Sequence, residues 1–214
     1  VQRGAGHLIP LAGQVSMDFY ALYDPTQPRE PAGGPDGGQW SSDGGGSWTP
    51  EDSVKLQDYT RTGGTYREVN EGLRAGKDMS GHPTVAALEK AFKERGDAAP
   101  KQVYRGMAGW ELEELGLEVG KTFTDHGYVS TATDQQTAKK FAMAGETKME
   151  GEAVGIVFKI NTGGLRSLDM NPFSRYGENE RLLPKGLTFK VTSVKPGEPG
   201  RRLAVVTMSI HDGQ

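Results

Sequence analysis

At Pro100 the hydrophobic pattern of this chain changes period, and that change constrains the fold more than any other feature. Before it, apolar residues recur at helical spacing. In TPEDSVKLQDYT, Thr49 can cap a helix, Pro50 suits its first position and Asp52 comes close to completing a capping box. In TYREVNEGLRAG, Tyr66, Val69 and Leu73 fall on one face and Gly76 can end the helix; TVAALEKAFKERG groups Val85, Leu88 and Phe92 before Gly96. After Pro100 come short runs rich in β-branched and aromatic residues: QVYRGM, TFTDHGYVSTAT, AVGIVFKI, LRSLDM, GLTFKVTSVK and RLAVVTMSI, separated by glycine, proline or charged turns. One helix interrupts them, DQQTAKKFAMAG, opened by Asp134 and with Ala138, Phe141 and Ala142 on one face. Helices first and strands afterwards predict an α+β fold rather than alternating βαβ units. With neither a GxGxxG turn nor a Walker loop, the pattern argues against a doubly wound nucleotide fold.

Ahead of the first helix, residues 1–48 are mostly glycine, proline and small polar residues without a period of 2 or 3.6, and such a stretch cannot offset its ordering entropy by burial. It reads as a flexible tail or linker, leaving 49–214 as a single folded domain, the catalytic unit in the reading developed below. Its one apolar cluster, MDFYALYD (Met17 to Asp24), is either a docking element or idle linker. A length of 214 residues suits one ordinary core. The absence of cysteine removes disulfides and thiolate chemistry, and four scattered histidines make no metal-ligand spacing, so no metal is expected. A formal net charge of -3 argues against nucleic acid as a bulk electrostatic partner. No run approaches the roughly 20 apolar residues of a membrane helix, and nothing of signal type follows Val1.

Chemistry concentrates in three pieces: Arg105 in VYRG, Ser130 in GYVSTAT, and Glu178 with Glu180 in GENERLLP. Singly, each reads as an ordinary surface polar residue. If GENERLLP enters a strand, however, residues two apart share a face, and the two glutamates project together. Like charges that close are costly unless a cation or a donor lies between them. A task that repays the cost is stabilising positive charge developing on a sugar while a second group handles the nucleophile.

In this combination and order the chain resembles the mono-ADP-ribosyltransferases of the Arg-Ser-Glu class, which includes many bacterial toxins. The resemblance runs from about Thr49 to the C-terminus and is carried by VYRG, GYVSTAT and GENERLLPKG, with LQDYT and VNEGLR in the helical part. It implies two packed antiparallel β-sheets with N-terminal helices around an NAD cleft, with NAD as substrate. Arg105 would hold the NAD pyrophosphate or ribose through charge-assisted contacts. Gly106 would let its backbone reach the nicotinamide amide. Ser130 would fix the rotamer of Glu180, and Glu180 would stabilise the oxocarbenium-like ribose as nicotinamide leaves. Glu178 would engage the acceptor; a carboxylate there, where some relatives carry Gln, resembles the arginine-modifying branch. Phe141 would lie against nicotinamide, with core packing as its other reading.

The chain departs from the family's Ser-Thr-Ser strand by placing Ala132 third, so Thr131 or Thr133 would supply the missing hydroxyl, and Thr131 joins the residues expected at the cofactor. In DMNPFSRYG, before the glutamates, Phe173 and Tyr176 are the aromatics expected to touch an acceptor protein, or to anchor the turn. Arg175, Arg181 and Lys185 would, on the plainest reading, quench the glutamate pair as ion pairs. The tail run REPAGGPDGGQW resembles polyproteins of bacteriophage head assembly, which implies capsid components as partners and a virion as location; the other home is a secreted or injected bacterial effector acting in the cytoplasm of a target cell. An NAD glycohydrolase, and a virion module of this fold without turnover, are the rival functions.

Overall fold

The computed structural model describes residues 48–61, 63–108, 115–144, 154–174, 179–197 and 202–211. The helical half forms as its pattern predicts. Helix α1, Pro50–Thr60, opens on a complete capping box, in which the Thr49 hydroxyl accepts from the Asp52 amide and the Asp52 carboxylate accepts from the Thr49 amide (3.0 Å). The same carboxylate takes a hydrogen bond from Lys90 Nζ (2.7 Å), which ties α1 to helix α3, Pro83–Arg95. Between them lies α2, Tyr66–Arg74, after which Gly76 adopts the left-handed conformation (φ 72°) that ends a helix. Leu56, Val69, Val85, Leu88 and Phe92 pack into one core. Helix α4, Gln135–Met143, is capped by Asp134, whose carboxylate accepts from the Thr137 amide (2.8 Å).

The strands are β1 (Asp97–Ala98), β2 (Gln102–Ala108), β3 (Thr122–Asp125), β4 (Val129–Ala132), β5 (Val154–Asn161), β6 (Arg166–Asp169), β7 (Glu180–Leu183), β8 (Leu187–Lys195) and β9 (Arg202–Ile210). Among the described residues they form one ladder in the order β1-β6-β7-β4-β2-β5-β9-β8-β3. The two sheets expected are its two halves: β4 and β2 are joined through a single residue pair, Ala132 with Tyr104, whereas β2 and β5 pair over seven. One pairing is not antiparallel. β5 and β9 run parallel in register from Val154 with Arg202 to Asn161 with Ser209; Ile156, Phe158 and Ile160 of β5 enter one core, and Val157 on its other face packs against Ala138 and Ala142.

Each half has its own core. Leu168 and Leu182, with Tyr128, pack against α1, α2 and α3; Val103, Met107, Ile156, Phe158, Ile160, Phe189, Val206 and Met208 fill the other half. The short strands β4 and β7 separate the two, since Leu182 points into the first core and Leu183 into the second. Helix α4 lies on β2 and β5 so closely that a Cβ on Gly106 would meet the Ala138 carbonyl oxygen at 1.9 Å, and one on Gly155 the Ala142 carbonyl oxygen at 2.2 Å. Gly106 is therefore required for this packing, whatever else its backbone does.

Candidate active site

Where β4 parts from β2 the ladder forks, and the fork holds a cleft of about 110 Å³. Its walls are β2 from Tyr104 to Ala108, β4 from Ser130 to Ala132, Phe141 of α4, Tyr59 of α1, Tyr66 of α2, and Glu180 at the start of β7. Thus Arg105, Gly106, Ser130, Thr131, Phe141 and Glu180, picked out from the sequence, border one cavity. Beyond Tyr104 the β4-facing edge of β2 has no strand partner among the described residues, so the backbone of Gly106 runs along an open edge.

Arg105 spans the fork. Its Nη1 donates to the Ser130 carbonyl oxygen (2.7 Å), while its Nε is buried without a hydrogen-bond partner. A buried N–H left unmade is costly, so it marks a place where an oxygen-rich ligand would gain most. Register places Ala132 opposite Glu180 and Ser130 opposite Leu182, so Ser130 and Glu180 are diagonal neighbours on the face that carries the helices, a gap a glutamate side chain can cross. The Tyr59 phenol reports the same proximity. Burial raises its pKa well above the ordinary 10.0, the neighbouring Tyr66 raises it further, and the charge of Glu180 acts in the same direction. Tyr59 therefore keeps its proton beside a carboxylate.

Thr131 points the other way. It is buried and its hydroxyl donates to the Arg181 carbonyl oxygen (2.6 Å), so that proton clamps β4 to β7. Phe141 lines the cleft half-buried, while Ala138 and Ala142 on the same helix take the core positions.

Two expectations are corrected. Phe173 is not an exposed contact: it is 7% exposed, its ring lies 6.0 Å from that of Trp48, and its carbonyl oxygen accepts from the Thr60 hydroxyl (3.1 Å). The turn before the glutamates folds its aromatic into the helical core, a long-range contact that Pro172 and the glycine nearby do not announce. β7 begins at Glu180, and Asn179 before it is left-handed (φ 49°). Glu178, Tyr176 and Arg175 lie outside the described residues. Second, the ion pairs of Arg181 and Lys185 lie elsewhere. Arg181 pairs with Asp97, and Lys185 with Glu89.

A polar stripe on α2 was given no role from the sequence. Tyr66, Asn70 and Arg74, each four residues apart, share one face of the helix. Asn70, 1% exposed, donates to the Tyr59 hydroxyl (2.9 Å) and accepts from the Tyr128 amide (2.7 Å), joining α1, α2 and β4 behind the cleft. Arg74 makes a bidentate pair with Asp125 (2.8 and 3.0 Å). Burial opposes its charge, yet the hydrogen-bonded carboxylate prevails and its pKa is raised. That pair borders a second, mainly apolar cavity of about 320 Å³, which shares Arg105 with the cleft. The i, i+4, i+8 spacing of polar residues on a helix with an otherwise apolar buried face was the available signal. Among the described residues no group of three potential ligands could hold a metal, and no helix is long and apolar enough to cross a membrane.

The forked ladder thus brings an arginine, a serine and a glutamate around one cleft. Residues 34–211 match the ADP-ribosyltransferase exoenzyme family, and the chain belongs to it; NAD is the ADP-ribose donor of such enzymes. A protein of Mycobacterium avium named as an NAD(+)-arginine ADP-ribosyltransferase, Mav, is 30% identical over 164 residues, 74% of this chain and 18% of that protein. Exoenzyme T of Pseudomonas aeruginosa is 27% identical over 142 residues, 64% of this chain and 28% of that protein. The chain thus spans less than a third of the length of either relative. Among solved structures, the Vis toxin of Vibrio splendidus shares the fold with a TM-score of 0.58 at 17% identity, covering 77% of this chain and 74% of Vis. The Clostridium limosum C3 exoenzyme does so at 0.57 and 19%, covering 78% and 87%.

Proposed function

We propose that this chain is a mono-ADP-ribosyltransferase that takes ADP-ribose from NAD and passes it to an arginine side chain of a protein. The observation that carries the reading is the meeting of Arg105, Ser130 and Glu180 at one fork of the ladder, with an Arg105 N–H left for a ligand. Arg105 holds the diphosphate or the adjoining ribose, where a guanidinium offers a fixed fork of donors. The open edge of β2 at Gly106 offers backbone groups to the nicotinamide amide, and Phe141 a ring face. Glu180, oriented by Ser130, stabilises the positive charge that develops on the ribose as nicotinamide departs. Glu178 holds the incoming guanidinium.

Arginine as acceptor is supported by the carboxylate at 178 and by the name of the Mycobacterium avium relative. That relative and Exoenzyme T are bacterial proteins, which favours an effector secreted or injected into a target cell over a virion component. The run from Arg29 to Trp40, on which capsid partners were expected, lies outside the described residues. The test is incubation with NAD labelled in its adenosine half and a lysate of target cells. Label on arginine, lost in Glu180→Ala, is the expected result. NAD consumed with no labelled protein would make the enzyme a glycohydrolase, and neither event would leave a binding module.

A further inference from the structure

Among the arginines whose side chains are described, Arg67 stands apart. Arg61 pairs with Asp58, Arg74 with Asp125 and Arg181 with Asp97; Arg166 donates to the Phe92 and Lys93 carbonyl oxygens, Arg105 to that of Ser130, and Arg95 lies over the Trp48 ring. Arg67 makes no hydrogen bond, ion pair or ring contact, although it sits in the first turn of α2 with Glu68 beside it and Glu71 one turn on. It is exposed, and it borders the same cleft as Arg105, Ser130 and Glu180. An unpaired guanidinium at the lip of that cleft can swing without breaking any interaction. Tethered there, it is presented to bound substrate at an effective concentration on the order of millimolar or above, ahead of most external arginines.

We propose that Arg67 is itself an acceptor of ADP-ribose, modified within its own chain; the inference rests on the arginine-transfer reading above. A guanidino nitrogen of Arg67 forms a bond to C1′ of the nicotinamide ribose. The bond from C1′ to the pyridinium nitrogen breaks, its electron pair leaves with neutral nicotinamide, and the proton released from the guanidinium passes to solvent. The product keeps an ADP group tethered at the cleft, so the enzyme slows as it modifies itself. An idle arginine, or one that serves only to hold the NAD diphosphate, would stay unmodified.

The experiment incubates the full chain with NAD in the presence of agmatine, a guanidine with no protein surface, followed by digestion and mass mapping. Expected are ADP-ribose on Arg67, a rate constant for its appearance that does not change on dilution, and turnover of agmatine that declines as Arg67 fills. Arg67→Lys keeps the charge and the helix propensity, and the label on that peptide is lost. If agmatine is labelled while Arg67 stays bare, the inference falls and the transferase reading stands. If label on Arg67 slows on dilution, one copy modifies another and the within-chain proposal is overturned. If neither agmatine nor any arginine is labelled, arginine transfer fails and takes this inference with it.

Discussion

The two halves of the ladder are held by different physics. The half made of β2, β5, β9, β8 and β3 has strands of four to nine residues and a core of aliphatic and aromatic side chains. The half made of β1, β6, β7 and β4 has strands of two to four residues, and polar links fasten it to the helices: Arg166 to the Phe92 and Lys93 carbonyl oxygens, Asn70 to the Tyr128 amide, Lys185 to Glu89. In both halves a one-residue slip would turn every side chain to the other face, so burial fixes register, but the short strands have few residue pairs to share that task. The cleft lies at the seam. Arg105 belongs to the apolar half, and Ser130 and Glu180 to the polar one.

The largest effect is expected where a polar link reaches the apolar half, between α2 and β3. Arg74→Met strips the partner from Asp125, a side chain only 6% exposed, and removal of one member of a buried pair costs about 3–5 kcal/mol. Arg74→Met combined with Asp125→Leu, which removes both charges, is expected to recover much of that loss. Urea unfolding of the three chains measures it. In the apolar half Ile160→Ala has a cost of about 2–5 kcal/mol and no second substitution of this kind to restore it. A double variant no more stable than Arg74→Met would end the distinction between polar links and apolar packing.

Next in size is catalysis at the seam. Glu180→Gln keeps the shape and removes the charge, and loss of one preorganised electrostatic group costs about 10²–10³-fold in rate. Because Glu180 is only half-buried, the thermal midpoint should stay near that of the parent. Glu178→Gln is expected to suppress transfer to arginine and leave appreciable NAD hydrolysis. Equal loss of both activities in Glu178→Gln would deny the two glutamates separate tasks.

Most of this architecture could be read from the chain because its signals are local. The Thr49, Pro50 and Asp52 box, the Val85, Leu88 and Phe92 face, the Asp134 cap and the β-rich runs each involve neighbours within a turn or a strand. Long-range choices were not legible. The parallel pairing of β5 with β9 joins segments more than forty residues apart, and β1, at two residues, has no period at all. At the site, Arg105, Ser130 and Glu180 from three separate sequence pieces border one cleft, yet the left-handed Asn179 and the burial of Phe173 under Trp48 depend on packing that no local pattern carries. Asn70 and Arg74 went unassigned for the opposite reason: their spacing was visible, but polar residues on a helix ordinarily face water.

Acid should separate the halves further. Burial alone would raise the pKa of Glu89, but hydrogen bonds from Lys185 and Tyr128 prevail and hold it below the usual 4.5; Asp52 is likewise held below 3.8, where burial is outweighed by Lys90 and the Thr49 cap. A carboxyl depressed in the folded state contributes stability that is complete above its unfolded pKa and disappears as pH falls through the folded value. The links between α3, α1 and the β7–β8 turn should thus weaken below about pH 4.5, the ordinary glutamate value from which Glu89 departs. In Glu89→Gln the urea midpoint should fall less steeply between pH 5 and pH 3 than in the parent, and superimposable curves would show that this link carries no acid sensitivity.

The smallest effect falls on Thr131, a cleft residue whose hydroxyl is already engaged. Thr131→Val keeps the volume and the β-branch but leaves the Arg181 carbonyl oxygen without its 2.6 Å donor, a loss of about 1 kcal/mol. Since that proton joins β4 to β7 and does not face substrate, the KM for NAD should be unchanged while the unfolding midpoint drops slightly. Thr131 would then act on the site only through the register that sets Ser130 diagonal to Glu180. A raised KM with stability intact would instead place the hydroxyl on NAD, and the polar half would be contributing contacts to substrate as well as the alignment of its strands.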